Sequence, residues 1–365
     1  MNLQGVTPLR SLLLGTLFTL AGCATNYGAR AVAPSGFSYN TAIAQSVDEQ
    51  LLLNLVRLRY RDTAVFMEID SVTSQRQYAG NFSASSVLPF SSISNGNSGL
   101  GAEGSYSETP TIRYTPLQGE KFAQNMLAPI PPETIILLST SGWSLERLLL
   151  CCVERLGALS NAPGASGPTP ARFPDNSRFR QATQILRALQ REEKIHVELV
   201  QEDNNPPEVF LVFDDPDNAQ LKQLLTLLGI QPDKKRLRLA GRSKTPQTHD
   251  ILTIGRSILG ALYTLSHAVE APDAHEAAGL VTVMRDEAGA PADWSVFLND
   301  LFNVRSSKSK PQAAFVKIYY RDHWFWIADD DLDSKTSFNL LVFLLALQSA
   351  DNARPGPLLT ISAGG

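Results

Sequence analysis

Five side chains suited to acid–base or metal chemistry crowd into ten residues: His267, Glu270, Asp273, His275 and Glu276. His267 and Glu270 stand one helical turn apart, so both can face one ion. The zinc-protease spacing His-Glu-x-x-His is not completed, because position 279 is Gly. The cluster therefore reads first as a polar helix end. Cys151 and Cys152 are neighbours, and on a helix they point about 100° apart. Cys152 falls on an apolar stripe, which favours buried free thiols over a redox pair. Gly99-Leu-Gly101-Ala-Glu-Gly104 has the letters of a phosphate-cradling loop. That chemistry needs a hydrophobic strand before the glycines and a helix after them. Here a Ser/Asn loop precedes them, and Pro110 and Pro116 follow. Ser307-Lys-Ser-Lys310 offers a hydroxyl beside an amine, but it precedes a strand and reads as a basic turn. Asp329-Asp-Asp-Leu-Asp333 lacks the Gly and Glu of a calcium loop, with Ser334 and Leu340 in their places. Helix capping explains those acids better. No catalytic, cofactor-binding or metal-binding residue is assigned.

The whole chain sets the bounds for such sites. Its 365 residues are 43% hydrophobic, 19% charged and 8% aromatic, a globular composition able to bury a large core. The net charge of −4 gives no basic field for nucleic acid, so no nucleic-acid partner is expected. Three cysteines are too few for a disulfide scaffold.

The N-terminus carries an address. Arg10 precedes an apolar run over residues 11–20, which is too short for an ordinary membrane-spanning helix and fits a secretory signal. The run ends in Leu20-Ala21-Gly22-Cys23, which resembles the lipobox of bacterial lipoproteins. The resemblance covers residues 11–24. It implies cleavage before Cys23, a diacylglycerol thioether on its sulfur and acylation, as by palmitate, of its amine. It also implies outer-membrane sorting, because Ala24 rather than Asp follows the cysteine. Each buried methylene contributes roughly 0.8 kcal/mol, so two or three chains anchor where one does not. Loss of residues 1–22 removes one basic residue, Arg10, and moves the net charge from −4 to −5.

Periodicity then places the elements. The expected fold class is α+β, with mixed helices and short antiparallel sheets. Residues 23–40 read as a flexible tether, and 41–160 as an N-terminal α+β region. In that region Ser46 and Glu49 form a capping box before a helix over 51–60. Arg59, inside its apolar arc, is expected to snorkel or to pair with a carboxylate. From 72 to 114 two arms alternate with period two. Val72, Tyr78, Phe82, Leu100, Tyr106 and Ile112 fall on one face; Thr73, Gln75, Gln77, Glu103, Ser105 and Arg113 fall on the other. This is the pattern of a long two-faced β-hairpin.

Leu145, Leu148, Leu149, Cys152, Leu156 and Leu159 predict one amphipathic helix, followed by a Pro/Gly-rich linker over 161–174. Residues 175–245 read as a small helix-strand-strand-helix-strand module. Within it Asp215 caps the second helix and Gly229 stops it. Residues 246–365 form a C-terminal α+β region. It holds an apolar core helix over 251–269, a hairpin over 314–327, a helix capped by Asp333 or Ser334, and a closing strand over 358–362. Trp324, Phe325 and Trp326 in one strand serve as core packing or as a ligand platform.

The expected role is a lipid-anchored, periplasm-facing envelope protein that scaffolds, assembles or docks a partner without catalysis. Its partners are the membrane, through the anchor, and a protein or a further copy of itself. No cofactor is called for. Two other readings stand beside this one. One is a cell-envelope hydrolase or metalloenzyme using His267 and His275. The other is a periplasmic ligand-binding module.

Overall fold

A computed structural model of the chain describes residues 27–86, 98–168, 175–201, 207–231, 235–241, 250–285, 294–298 and 300–349. The lipobox with Cys23, the signal segment 1–22 and the closing strand over 358–362 lie outside the described residues. The fold is α+β. It divides into two compact units, each drawn from separate stretches of chain. The first takes its described residues from 27–62, 168 and 263–342; the second takes them from 63–167, 175–262 and 343–349.

In the first unit, helix α1 spans Tyr27–Arg59. It covers residues 27–40, where a tether was expected, and it passes through the Ser46–Glu49 box. The Ser46 hydroxyl does not cap there; it accepts from Gln50 Nε2 at 3.3 Å. The expected stripe is otherwise sound, since Leu51, Leu52, Leu55, Val56 and Leu58 are buried. The three-stranded sheet of this unit has the order β10-β11-β9, from Arg305–Ser307 (β9), Ala314–Tyr320 (β10) and His323–Ala328 (β11). The β10–β11 hairpin falls where its alternation predicted, with Phe325 fully buried and Trp324 and Trp326 half-buried. The last helix begins at Leu332, and its cap is Asp331 rather than Asp333 or Ser334. The Asp331 carboxylate accepts from Ser334 N at 3.0 Å and from Ser334 Oγ at 2.6 Å.

The second unit holds a long hairpin and a six-stranded sheet. The hairpin strands are Met67–Ser86 (β1) and Ser98–Pro116 (β2). The sheet order is β4-β3-β8-β7-β6-β5. Its strands are Val153–Leu156 (β3), Leu159–Ser160 (β4), Ile195–Val200 (β5), Glu208–Phe213 (β6), Arg236–Ala240 (β7) and Asp250–Gly255 (β8). All neighbours are antiparallel except β7–β8.

Two expectations for this unit are corrected by long-range pairing. The helix through Leu145 ends at Cys152, and Leu156 and Leu159 lie in strands instead. Leu156 is buried in strand β3, which pairs with β8, and one sequence cannot reveal that partner. The apolar run over 251–269 is not one helix. Residues 250–255 are strand β8, held between β7 and β3, and only Ile258–Ser266 is helical. Gly255 permits this, since a Cβ there would collide with the Ile130 carbonyl.

The linker is corrected as well. Asn161, Ala162 and Ala165 are buried, and Pro163–Ser166 forms a 3₁₀ turn. Residues 169–174 lie outside the described ones. The small module over 175–245 has the predicted element order, with helices Ser177–Arg191 and Ala219–Leu228. Its second helix is capped by Asn218, whose Oδ1 accepts from Gln220 N and Leu221 N, rather than by Asp215. Gly229 stops it in the left-handed region at φ 74°. The module is not self-contained, because β7 continues into β8 and β3. Arg238 fastens that junction, donating to Asp250 at 2.7 and 2.6 Å and to Glu208 at 2.6 Å.

Candidate functional site

The first candidate is the β1–β2 hairpin. Its register runs from Met67↔Pro116 to Ser86↔Ser98. Even positions meet even positions: Val72↔Ile112, Tyr78↔Tyr106, Phe82↔Ala102 and Ala84↔Leu100. Thr73↔Thr111, Gln75↔Thr109, Gln77↔Ser107 and Asn81↔Glu103 share the other face. The two faces read from periodicity are therefore the two faces of one sheet. A register shift between Ile69 and Ser71 adds a feature that alternation did not show. The extra residue, Asp70, changes the parity, so Ile69 opposite Tyr114 joins the face of Val72 and Ile112. At the base, Leu117 N donates to Phe66 O at 2.9 Å, and the Phe66 and Phe122 rings lie 5.8 Å apart. No third strand pairs with β1 or β2 among the described residues. The Gly99–Gly104 motif lies wholly within β2, so no helix N-terminus follows it.

The second candidate is a polar–aromatic cluster in the first unit. Helix α1 ends at Arg59, and Arg61 adopts φ 59°, which turns the chain so that Asp62 meets the β10–β11 turn. That turn is Arg321-Asp322, both at positive φ, between Tyr320 and His323. A two-residue turn with both centres at positive φ matches the twist of its strands. Neither residue is the Asn or Gly that would have announced it. Asp62 Oδ2 accepts from Tyr320 Oη at 2.5 Å and from Arg321 Nη2 at 2.9 Å. The Arg321 guanidinium lies 5.1 Å from the centre of the Tyr60 ring. Tyr60 Oη and His275 Nδ1 are 2.7 Å apart, and the His275 and His323 rings meet edge-on at 4.7 Å.

The electrostatics of this cluster favour a neutral Tyr60–His275 contact beside an ionised Asp62. Burial pushes the Tyr60 phenol up to about 12. Burial lowers His275, and His323 and Arg321 lower it further. Near pH 7 the contact is thus a neutral phenol against a neutral imidazole, which is not a tyrosinate nucleophile. For Asp62 burial opposes ionisation, but the bonds from Tyr320 and Arg321 outweigh it and hold its carboxyl below the usual range. Arg59 is buried rather than snorkelling, its hydrogen bonds go to backbone carbonyls, and burial opposes its charge while Glu276 nearby favours it. Arg59 donates to Val269 O at 3.3 Å and to Thr282 O at 3.0 Å. The arrangement acts as a lock between the end of α1 and the β10–β11 turn.

The other sequence candidates separate. His267 stacks on Trp294 with ring centres 4.2 Å apart. Glu270 Oε2 accepts from Ser306 N at 3.0 Å. Asp273 opens the short helix Asp273–Ala277 that carries His275 and Glu276. Among the described residues no three metal-ligating side chains gather at one point. Asp329 holds Lys335 at 2.8 Å, and Asp331 caps the last helix. The Lys310 ammonium sits 5.3 Å from the centre of the Trp324 ring.

Cys151 and Cys152 are free and fully buried. Their mutual hydrogen bond is the leading cause that lowers Cys151 and raises Cys152. Sequence reasoning missed what lies beside them. Arg256 is fully buried, and it donates to Leu150 O, Cys151 O and Val153 O at 2.9–3.2 Å and to Asn161 O. A lone arginine in an apolar run was the only signal for it.

No protein-family model matches the chain, and no curated protein or solved structure is significantly similar to it.

Proposed function

We propose that this chain is a lipid-anchored envelope protein facing the periplasm, with a non-catalytic role in scaffolding or assembly. The address rests on Leu20-Ala21-Gly22-Cys23 after the apolar run. Acylation at Cys23 joins the chain to the outer membrane and leaves its folded units in the adjoining space. The observation that carries the assembly role is the two-stranded hairpin, with a continuous two-faced register and no third strand beside it among the described residues. Open strand edges are templates for another strand. A further copy of the same hairpin supplies a strand of matching length and pattern. The polar–aromatic cluster favours the same reading, because Tyr60 and His275 face each other as neutral groups and Asp62 is engaged by Tyr320 and Arg321.

The test has two arms, both on the full chain in a bacterial host. Cys23→Ser is expected to abolish incorporation of labelled palmitate and to release the protein from the membrane fraction. Photo-crosslinkers at Gln75 and Ser107 are expected to trap covalent multimers. Unchanged fractionation and mass after Cys23→Ser would remove the anchor. A strict monomer at every crosslinking site would remove the assembly role.

A further inference from the structure

We infer that the β1–β2 hairpin crosses a lipid bilayer as the repeating unit of a β-barrel closed by several copies of this chain. The inference rests on the hairpin being the assembly element and does not require the lipid anchor. It deepens that reading by naming what covers the apolar face and what covers the edges: hydrocarbon on the face, and the hairpin of the next copy at each edge.

Charge carries the first part of the argument. There is no Asp, Glu, Lys or Arg between Arg76 and Glu103. At the 19% charged fraction of the chain, about five would be expected in such a stretch. A solvated edge strand is usually protected by charges, especially lysine, and this hairpin has none there. The two faces differ in polarity. One carries Tyr78, Gly80, Phe82, Ala84, Leu100, Ala102, Gly104 and Tyr106 by register, and the other carries Gln77, Ala79, Asn81, Ser83, Ser85, Gly99, Gly101, Glu103 and Ser105. Small, mostly neutral, hydrogen-bonding residues on one face and uncharged, mostly apolar residues on the other are the composition of a strand between water and lipid.

Length and boundary carry the second part. Residues 78–86 pair with 98–106 in nine consecutive register pairs. Nine residues at ~3.3 Å rise span about 30 Å, or about 23 Å normal to the membrane at ~40° tilt. Outer-membrane barrels show an apolar band about 25 Å tall. The band is bounded at one end in the expected order. Tyr78 stands opposite Tyr106, and two positions further Arg76 stands opposite Glu108 on the same face. Aromatic residues mark membrane interfaces, with charges beyond them. Glu103, opposite Asn81, is the one charge within the nine pairs and lies on the polar face, where a water-filled interior accepts it.

Closure follows from the backbone. In hydrocarbon an open strand edge leaves its N–H and C=O groups without partners, so only closed barrels are viable there. A two-stranded hairpin closes by joining the β2 edge of one copy to the β1 edge of the next, a head-to-tail contact that generates a ring. The smallest such barrels have about eight strands, so about four copies are the minimum.

The test uses full-length protein purified from membranes and reconstituted in phosphatidylethanolamine–phosphatidylglycerol vesicles. Single cysteines at Phe82, Ala84 and Leu100, and at Ser83, Ser85 and Gly101, carry an environment-sensitive fluorophore. Nitroxide on the lipid chains is expected to quench the first set several-fold more than the second, and aqueous iodide is expected to reverse the order. Ala84→Arg is expected to lower the yield of detergent-resistant multimer about tenfold or more, and Ser83→Arg to leave it within about twofold. Multimers whose labels are all reached by iodide and none by nitroxide would overturn the barrel while leaving assembly intact. Membrane-bound protein that forms no multimer would overturn both.

Discussion

Arg256→Met tests the reasoning about the second unit most directly. The arginine is held by carbonyls rather than by a carboxylate. Its Nη1 reaches Leu150 O at 2.9 Å, Cys151 O at 3.2 Å and Val153 O at 3.1 Å, its Nη2 reaches Asn161 O, and its Nε reaches Ser166 Oγ at 3.0 Å. These include the last carbonyls of the helix Leu145–Cys152, where a cation is favoured. Burial lowers the guanidinium from its ordinary value, which measures the opposing cost. Asn161 Nδ2 also donates to Leu150 O at 2.9 Å and to Val153 O at 2.7 Å, so those two keep a partner after the substitution. Among the described residues Arg256 is the side-chain donor to the Cys151 and Asn161 carbonyls. Two buried carbonyls without donors cost about 1–2 kcal/mol each. Relief of the desolvated charge offsets a part, and the loss of order in the 161–166 turn adds to the cost. The net expectation is about 3 kcal/mol. With a urea slope of about 3 kcal/mol/M, that lowers the midpoint by about 1 M. The assay is urea unfolding followed by hydrogen exchange in peptides covering β3 and β8, which isolates this unit from the other. Arg256→Lys offers fewer donors from a compact head and should fall between the two. A midpoint for Arg256→Met within about 0.2 M of the parent, or Lys more damaging than Met, would refute the account.

Two further outcomes follow from the titrating groups. His275 is lowered in the folded chain, so the unfolded chain binds its proton more readily. Its neutral form is fully compatible with the fold above about pH 6.5, and stability is lost as pH falls below that value. His275→Gln should flatten the pH dependence of the melting temperature as pH falls below about 6.5; an unchanged slope would contradict the burial argument. Cys151 and Cys152 should resist an aromatic disulfide reagent in native protein and react together after denaturation, because both thiols have no exposed surface. Rapid native labelling at either one would show that the helix carrying them opens on its own.

Local pattern decides some features, and long-range pairing decides others. The hairpin was legible because period two persists along both arms, and the backbone of a strand imposes that period whatever it pairs with. The small module was legible for the same reason, helped by Gly229, whose left-handed backbone stops the helix there. The helix expected through Leu159 and the one expected over 251–269 failed together, and for one cause. β3 and β8 are each other's partners across about a hundred residues, and an apolar run reads alike as a buried strand or a buried helix until the partner is known.

The candidate site divides in the same way. The proposed lipidation of Cys23 rests on sequence alone, because a signal of that kind is a linear segment that needs no fold to present it. Which polar residues meet was decided by tertiary structure. His267 and His275, eight positions apart, go to different neighbours, while Tyr60 and His275 meet across more than two hundred residues. A bulge at Asp70 brought Ile69 onto the apolar face, and two left-handed residues at Arg321-Asp322 aimed a guanidinium at Tyr60. Local composition sets what each segment prefers. Only closure of the chain on itself determines which carbonyls a buried arginine must satisfy and which rings a tyrosine meets, because those partners are chosen by packing.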